Sequence, residues 1–208
     1  MSGALASKLH EGIVRLGLPT LPDGTEERLL KYLNLLVKWN TAYNLTAIRQ
    51  PEQMLVRHIL DSLSILPRVE GQTLIDIGTG AGLPGLVLAA ARSDLKTTLL
   101  DSNGKKVRFL RQAIAELELA NAEAVQSRAE QYAGSFDVVT SRAFATLADM
   151  VEWGAHLLAE RGSFLAMKGM RPVEEMAVLP QGFKVKDIVS LQVPFLEEER
   201  HLICIVRQ

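Results

Sequence analysis

The chain has 208 residues, 48% hydrophobic and 23% charged, enough for one domain with an appended subdomain and a sizeable core without staples. Its single cysteine, Cys204, excludes a disulfide framework, an internal cysteine-ligated zinc site and any C-x-x-C redox centre. With 23 Lys+Arg against 24 Asp+Glu the net charge is −1, so any nucleic-acid binding must come from a local patch.

No basic–apolar–small pattern opens the sequence, and apolar runs such as Leu86–Ala91 fall far short of the ~20 residues of a membrane span. The expectation is a soluble, cytoplasmic protein. Residues 1–70 read as helices only. Leu5, Leu9, Ile13 and Leu16 recur at helical spacing until Gly17-Leu18-Pro19 stops them. Thr25-Glu26-Glu27-Arg28 opens a second helix with Leu29, Leu33 and Leu36 on one side. A third follows Pro51 through Leu55, Ile59, Leu63 and Leu66 and ends before Pro67.

From residue 71 to residue 208 short apolar strands alternate with helices, the signature of a parallel sheet built from βαβ units. Strands are predicted over Thr73–Ile77, Lys96–Leu100, Ala122–Gln126, Phe136–Thr140 and Gly162–Lys168. Helices are predicted from near Pro84, over Lys105–Leu119, Leu147–Ala159 and Pro172–Leu179. Phe183–Val193 and His201–Val206 close the chain as an antiparallel hairpin with a short acidic connection. Seven strands ending in a hairpin suit the methyltransferase variant of the doubly wound Rossmann-like sheet, not the all-parallel dinucleotide fold.

The richest segment is Asp76-Ile77-Gly78-Thr79-Gly80-Ala81-Gly82-Leu83-Pro84-Gly85. Glycines at a strand-to-helix turn permit positive φ and let the backbone approach a ligand. Gly80, Gly82 and Gly85 satisfy the dinucleotide pattern G-x-G-x-x-G, whereas Asp76, Gly78, Gly80 and Gly82 fit the acid-x-G-x-G-x-G loop of S-adenosylmethionine (SAM) methyltransferases. Register favours the second, because Gly78 directly follows the strand and the sixth position from it is Leu83. An acid in the strand also suits the cationic amino and sulfonium groups of SAM better than a pyrophosphate. Asp101, 23 residues after Gly78 at the end of the second strand, is placed to accept hydrogen bonds from ribose hydroxyls in either register.

In such sheets ligands sit outside the carboxyl ends of the strands. Those ends nominate Arg128, Ala129 and Glu130, then Ser141 and Arg142, then Lys168. If the last strand runs antiparallel beside the fifth, Arg200 and His201 reach the same edge, and Arg142, Lys168 and Arg200 converge on one rim suited to a polyanion. Residues 102–111 hold four cations and no acid, so the helix from Lys105 to Arg111 extends this track. His58 and Asp61, three apart on a presumed helix, read as a local hydrogen-bonded pair. Phe144 is a candidate for stacking on a base.

Some chemistries lose support. Methylation of cytosine C5 needs a cysteine nucleophile, and Cys204 lies inside the final strand. The D/N-P-P-aromatic motif of adenine N6 enzymes is replaced by Thr140-Ser141-Arg142-Ala143-Phe144. A ring nitrogen with a free lone pair, such as guanine N7, needs in-line positioning and no base, which matches a site with no obvious general base.

Trp39-Asn40-Thr41-Ala42-Tyr43-Asn44-Leu45-Thr46, Arg57-His58-Ile59-Leu60-Asp61-Ser62, the turn from Asp76 to Gly85, Ser141-Arg142-Ala143-Phe144 and Glu199-Arg200-His201-Leu202, in this order, resemble the ribosomal RNA small-subunit methyltransferase G family, also called glucose-inhibited division protein B. The resemblance implies a class I SAM-dependent enzyme that methylates N7 of one guanine in 16S ribosomal RNA, with free RNA or the small ribosomal subunit as partner and no metal. It places cofactor contacts on Gly78 and Leu83, on Ala129 and Glu130, and on Arg142, beside Gly80, Gly82 and Asp101 from the turn and the strand end. Residues 1–70 correspond to the family's helical segment and offer an RNA-facing element. Two other readings stay open on the residues alone. An NAD-linked oxidoreductase requires the turn to start at Gly80 and finds no hydride-transfer residue. A non-enzymatic RNA-binding or ribosome-assembly module would keep SAM as a structural ligand.

Overall fold

A computed structural model describes residues 3–142 and 146–208. Helix α1 (Gly3–Leu16) buries Leu5 and Leu9 and stops at Gly17, whose φ of 62° is the left-handed region glycine adopts freely. Helix α2 (Thr25–Tyr43) buries Leu29, Tyr32, Leu33 and Leu36. It ends on Asn44, which is also left-handed, and the Asn44 N–H donates to the Asn40 carbonyl at 3.3 Å.

The third predicted helix is one continuous helical stretch with a change of pitch. It is α-helical over α3 (Pro51–Met54), π-helical over Leu55–Leu60, and α-helical again over α4 (Asp61–Leu63). It ends before Pro67 as expected, at Leu63 rather than Leu66. A separate 3-10 turn spans Leu66–Arg68, with Pro67 at its start, where the missing N–H has no partner to lose.

The remaining elements alternate as expected: β1 (Thr73–Ile77), α5 (Gly85–Ala91), β2 (Lys96–Asp101), α6 (Gly104–Glu116), β3 (Ala122–Gln126), β4 (Phe136–Arg142), α7 (Leu147–Gly154), β5 (Leu158–Lys168), α8 (Val173–Ala177), β6 (Phe183–Ser190) and β7 (His201–Arg207). They form one sheet in the order β3-β2-β1-β4-β5-β7-β6. The first five strands are parallel, and β7 lies antiparallel between β5 and β6. This is the class I methyltransferase arrangement.

The largest boundary differences adjoin each other: α7 ends at Gly154 rather than Ala159, and β5 begins at Leu158 rather than Gly162. Gly162, predicted as the first residue of the strand, lies within it. A Cβ there would lie 2.9 Å from the Asp137 carbonyl oxygen, and the β4–β5 register shifts between Phe136 and Val138. Glycine permits that close backbone approach.

Leu29, Leu33 and Ile59 from the N-terminal helices share one buried cluster with Leu86, Leu99 and Leu110 beside the sheet. A second cluster, with Val139, Leu147, Val151 and Phe164, fills the opposite face under α7. The helical segment and the sheet therefore close over a common core.

Candidate active site

The glycine turn is built from below by Asp76, which is fully buried. Its Oδ2 accepts from the Thr79 hydroxyl at 2.6 Å and from the Gly85 N–H at 2.8 Å. Burial pushes this carboxyl up to about 7, against the pull of those two hydrogen bonds. Asp76 thus does not face a ligand, as the sequence suggested; it folds the turn. From above, the Tyr32 hydroxyl on α2 donates to the Ala81 carbonyl at 2.8 Å. Gly78, Gly80 and Gly82 all have positive φ, between 61° and 94°.

Two cavities open at the carboxyl ends of the strands, of about 570 and 450 Å³, and Gly78 and Lys106 line both. The smaller holds Asp101, Ala129, Glu130 and Trp153. Asp101, 5% exposed, accepts from the Gly80 N–H at 2.9 Å and the Asn103 N–H at 2.8 Å, with the Lys106 ammonium 3.6 Å away. Helix α6 is capped by the Asn103 side chain and not by Asp101, so the Asp101 carboxylate remains at the cavity wall.

The larger cavity takes Gly78, Gly80 and Leu83 from the turn. Arg142, Lys168 and Arg200, distant in sequence, line it together, as the strand-end argument requires, and Arg57 and Lys106 join them. Lys168 pairs with Glu175 at 2.8 Å. Arg57 and Arg200 both meet Glu198. Gly82 lines neither cavity, since a Cβ there would point at Leu110 and Leu86. Phe144 falls outside the described residues.

His58 and Asp61 do not bond each other; both turn to Arg142. The Arg142 guanidinium donates to the Arg57 carbonyl at 2.7 Å, to Asp61 Oδ2 at 3.2 Å and to His58 Nδ1 at 3.2 Å. Burial, reinforced by the Arg142 charge, pushes His58 down to about 3, so the ring is neutral. Burial raises Asp61 above the usual carboxylate range, opposed by Arg142 and Arg200. Sequence reasoning missed Arg57, Trp153 and the 45–48 loop as wall residues, and named Lys106 only within the basic helix from Lys105 to Arg111. Arg57 and Thr46 stand inside the motif blocks quoted above, whereas Trp153 gave no signal in its helix.

Residues 25–203 match the family of rRNA small subunit methyltransferase G, GidB. The chain is 56% identical over 187 residues to the ribosomal RNA small subunit methyltransferase G of Serratia proteamaculans, covering 88% of this chain and 91% of that one. Against the Escherichia coli O1:K1 protein of the same name the identity is 53% over 188 residues, or 89% and 91%.

The chain belongs to the rRNA small subunit methyltransferase G family.

Membership in this family settles the glycine register against an NAD-linked oxidoreductase and identifies the protein as an rRNA methyltransferase. The fold agrees. The glycopeptide N-methyltransferase MtfA, solved with S-adenosyl-L-homocysteine, superimposes with a TM-score of 0.63 at 11% identity over 73% of this chain and 87% of that one. A SAM-dependent methyltransferase from Aquifex aeolicus gives 0.55 at 16%, over 76% and 94%. No helix among the described residues is long and apolar enough to cross a membrane.

The methyl donor of this methyltransferase is S-adenosylmethionine, and the residues present fit it. A Cβ on Gly80 would meet only the Gly78 carbonyl oxygen, at 4.0 Å, so the turn leaves open space where a ligand lies against the backbone. The smaller cavity combines a carboxylate with Leu100, Ala129 and Trp153, a donor set and apolar walls suited to an adenosine.

Proposed function

We propose that this methyltransferase transfers a methyl group to N7 of a guanine in 16S ribosomal RNA, as free RNA or within the small subunit. The observation that carries the target atom is the state of the possible bases in the larger cavity. His58 is neutral, but Arg142 already donates to its Nδ1. Asp61 is held between Arg142 and Arg200. Both are engaged by these cations, and guanine N7 has no proton to give up before attack. Cys204, buried in β7, is no nucleophile for C5 chemistry.

When bound, S-adenosylmethionine supplies an electrophilic methyl on a sulfonium. The chain's own residues then orient and exclude. Asp101 holds the ribose hydroxyls, Gly78, Gly80 and Leu83 line the methionyl end, and Ala129 and Glu130 flank the base. Arg142 stands at the junction of cofactor and substrate. Lys168 and Arg200 hold RNA phosphate or the target base. Gly82 contributes through the shape of the turn. Residues 1–70 form the RNA-facing wall, since Thr46, Arg57, His58 and Asp61 all come from them.

The test is methylation of small-subunit RNA, free and in particles, with labelled donor, followed by mapping of the modified base. A single N7-methylguanosine in 16S RNA is expected. In the same assay Asp101→Ala should bind S-adenosylhomocysteine roughly 10- to 100-fold more weakly, the size of lost hydrogen bonds to a charged group. Label on another atom, or undiminished affinity, would refute the corresponding part.

A further inference from the structure

Arg142 ends β4 at the mouth of the larger cavity, and three acceptors hold it: the Arg57 carbonyl, Asp61 Oδ2 and His58 Nδ1. All three come from residues 57–61, which span the end of the π-helical stretch and the first residue of α4. In an α-helix the Asp61 N–H would bond the Arg57 carbonyl. Here it points to the carbonyls of Val56 and His58, which leaves the Arg57 carbonyl for Arg142. The change of pitch is therefore what creates the acceptor.

The ring of His58 is fixed on both sides. Nδ1 lies 3.2 Å from Arg142 Nη2 and 3.1 Å from the Arg57 carbonyl. Arg142, which can only donate, already serves that carbonyl, so Nδ1 is taken as the acceptor and the proton is placed on Nε2. Nε2 then donates to the Thr46 hydroxyl at 2.8 Å, and the Thr46 N–H is tied to the buried Asn40 side chain at 2.9 Å. Asp61, with its side chain 4% exposed, lies between Arg142 at 3.2 Å and Arg200 at 3.5 Å. One carboxylate thus fixes the spacing of two cavity cations.

Of the five N–H groups of a guanidinium, these contacts spend both on Nη1 and one on Nη2. The remaining pair, on Nε and Nη2, suits two anionic oxygens side by side. We infer that His58 and Asp61 are positioning residues which, with the Arg57 carbonyl freed by the π-helical turn, lock the Arg142 guanidinium so that its remaining N–H pair meets an anionic oxygen pair of the bound substrates. That pair is the carboxylate of the cofactor or a phosphate of the RNA. The inference rests on methyl transfer at this site but not on which atom of the RNA is methylated.

A double-mutant cycle tests it. His58→Ala and Asp61→Asn should each lower kcat/KM for methyl transfer, with His58→Ala costing roughly 10- to 100-fold. In an Arg142→Ala background each should cost no more than about twofold, because the residue they act through is gone. His58→Asn, whose amide oxygen can replace Nδ1 as acceptor, should recover part of the loss. It also keeps the cycle interpretable if His58→Ala lowers the melting temperature. A matching loss of S-adenosylhomocysteine affinity assigns the oxygen pair to the cofactor, and a rise in KM for RNA assigns it to phosphate; either supports the clamp. Costs that multiply in the Arg142→Ala background, or a 15N spectrum showing the His58 proton on Nδ1, would overturn it. Absence of any RNA methylation by the wild type would instead defeat the activity reading, and the same cycle read on S-adenosylhomocysteine affinity would still decide the clamp.

Discussion

Three aspartates around the glycine turn and the larger cavity show how surroundings divide one side chain among different tasks. Asp101 stays at a cavity wall with a lysine nearby, Asp61 is sandwiched by arginines, and Asp76 is sealed beneath the turn. For Asp76 the consequence is a pH effect whose sign follows from linkage. Its folded-state pKa of about 7 lies above the usual carboxylate value. Between about pH 4 and 7 the folded chain keeps a proton that the unfolded chain has released. Its contribution to stability is therefore present at low pH and is lost as pH rises through that window. Asp76→Asn cannot titrate. Its stability relative to wild type should rise by up to about 1.4 kcal/mol per pH unit across the window and level off above it. Urea denaturation of both proteins at several pH values reads this directly, and a pH-independent difference would show that Asp76 does not titrate there. The types and spacing of these residues are visible in the sequence, which marked Asp76 and Asp101 correctly as belonging to the turn and the strand end. Their roles were not, because burial and partners, not residue type, decide which carboxylate faces outward.

At the level of elements the turn and the third helix carry the lesson. Gly80 and Gly82 look equivalent in the acid-x-G-x-G-x-G pattern, yet one borders open space and the other packs. A Cβ on Gly82 would sit 2.9 Å from Leu110 Cδ2 and 3.0 Å from Leu86 Cβ, at a φ of 94°. Gly82→Ala should thus destabilise the fold by roughly 1–3 kcal/mol through backbone strain and crowding. Gly80→Ala, at a φ of 61° with open space ahead, carries the strain without the clash. It should melt closer to wild type and lose more affinity for S-adenosylhomocysteine. Equal melting temperatures and equal affinities for the two variants would refute the division. The third helix shows a complementary limit. Its apolar positions announce a helix, but periodicity does not report a change of pitch over Leu55–Leu60, and that change bears on Arg142.

For the whole molecule, a net charge of −1 says little about where RNA lies. Lys105 and Arg108 are exposed on α6, next to Lys106, which borders both cavities. If that face tracks the RNA backbone, Lys105→Ala and Arg108→Ala should each reduce the slope of log affinity against log salt by about 0.7 to 0.9, with little change in which base is methylated. An unchanged slope in both would place the RNA on another face. The order of strands and helices, the glycine register, the antiparallel end and the strand-end cations were all written locally, in periodicity and in punctuation by glycine and proline. Those signals persist in sequence because they act over a few neighbouring residues. The site's second wall is different: Arg57, His58 and Asp61, and Thr46 from the loop before them, belong to an N-terminal segment that packs onto the sheet through a common core. No local signal brings residue 58 to residue 142 across 84 positions. That meeting depends on burial of the N-terminal helices and on one carbonyl released from its own helix, and only the folded molecule decides both.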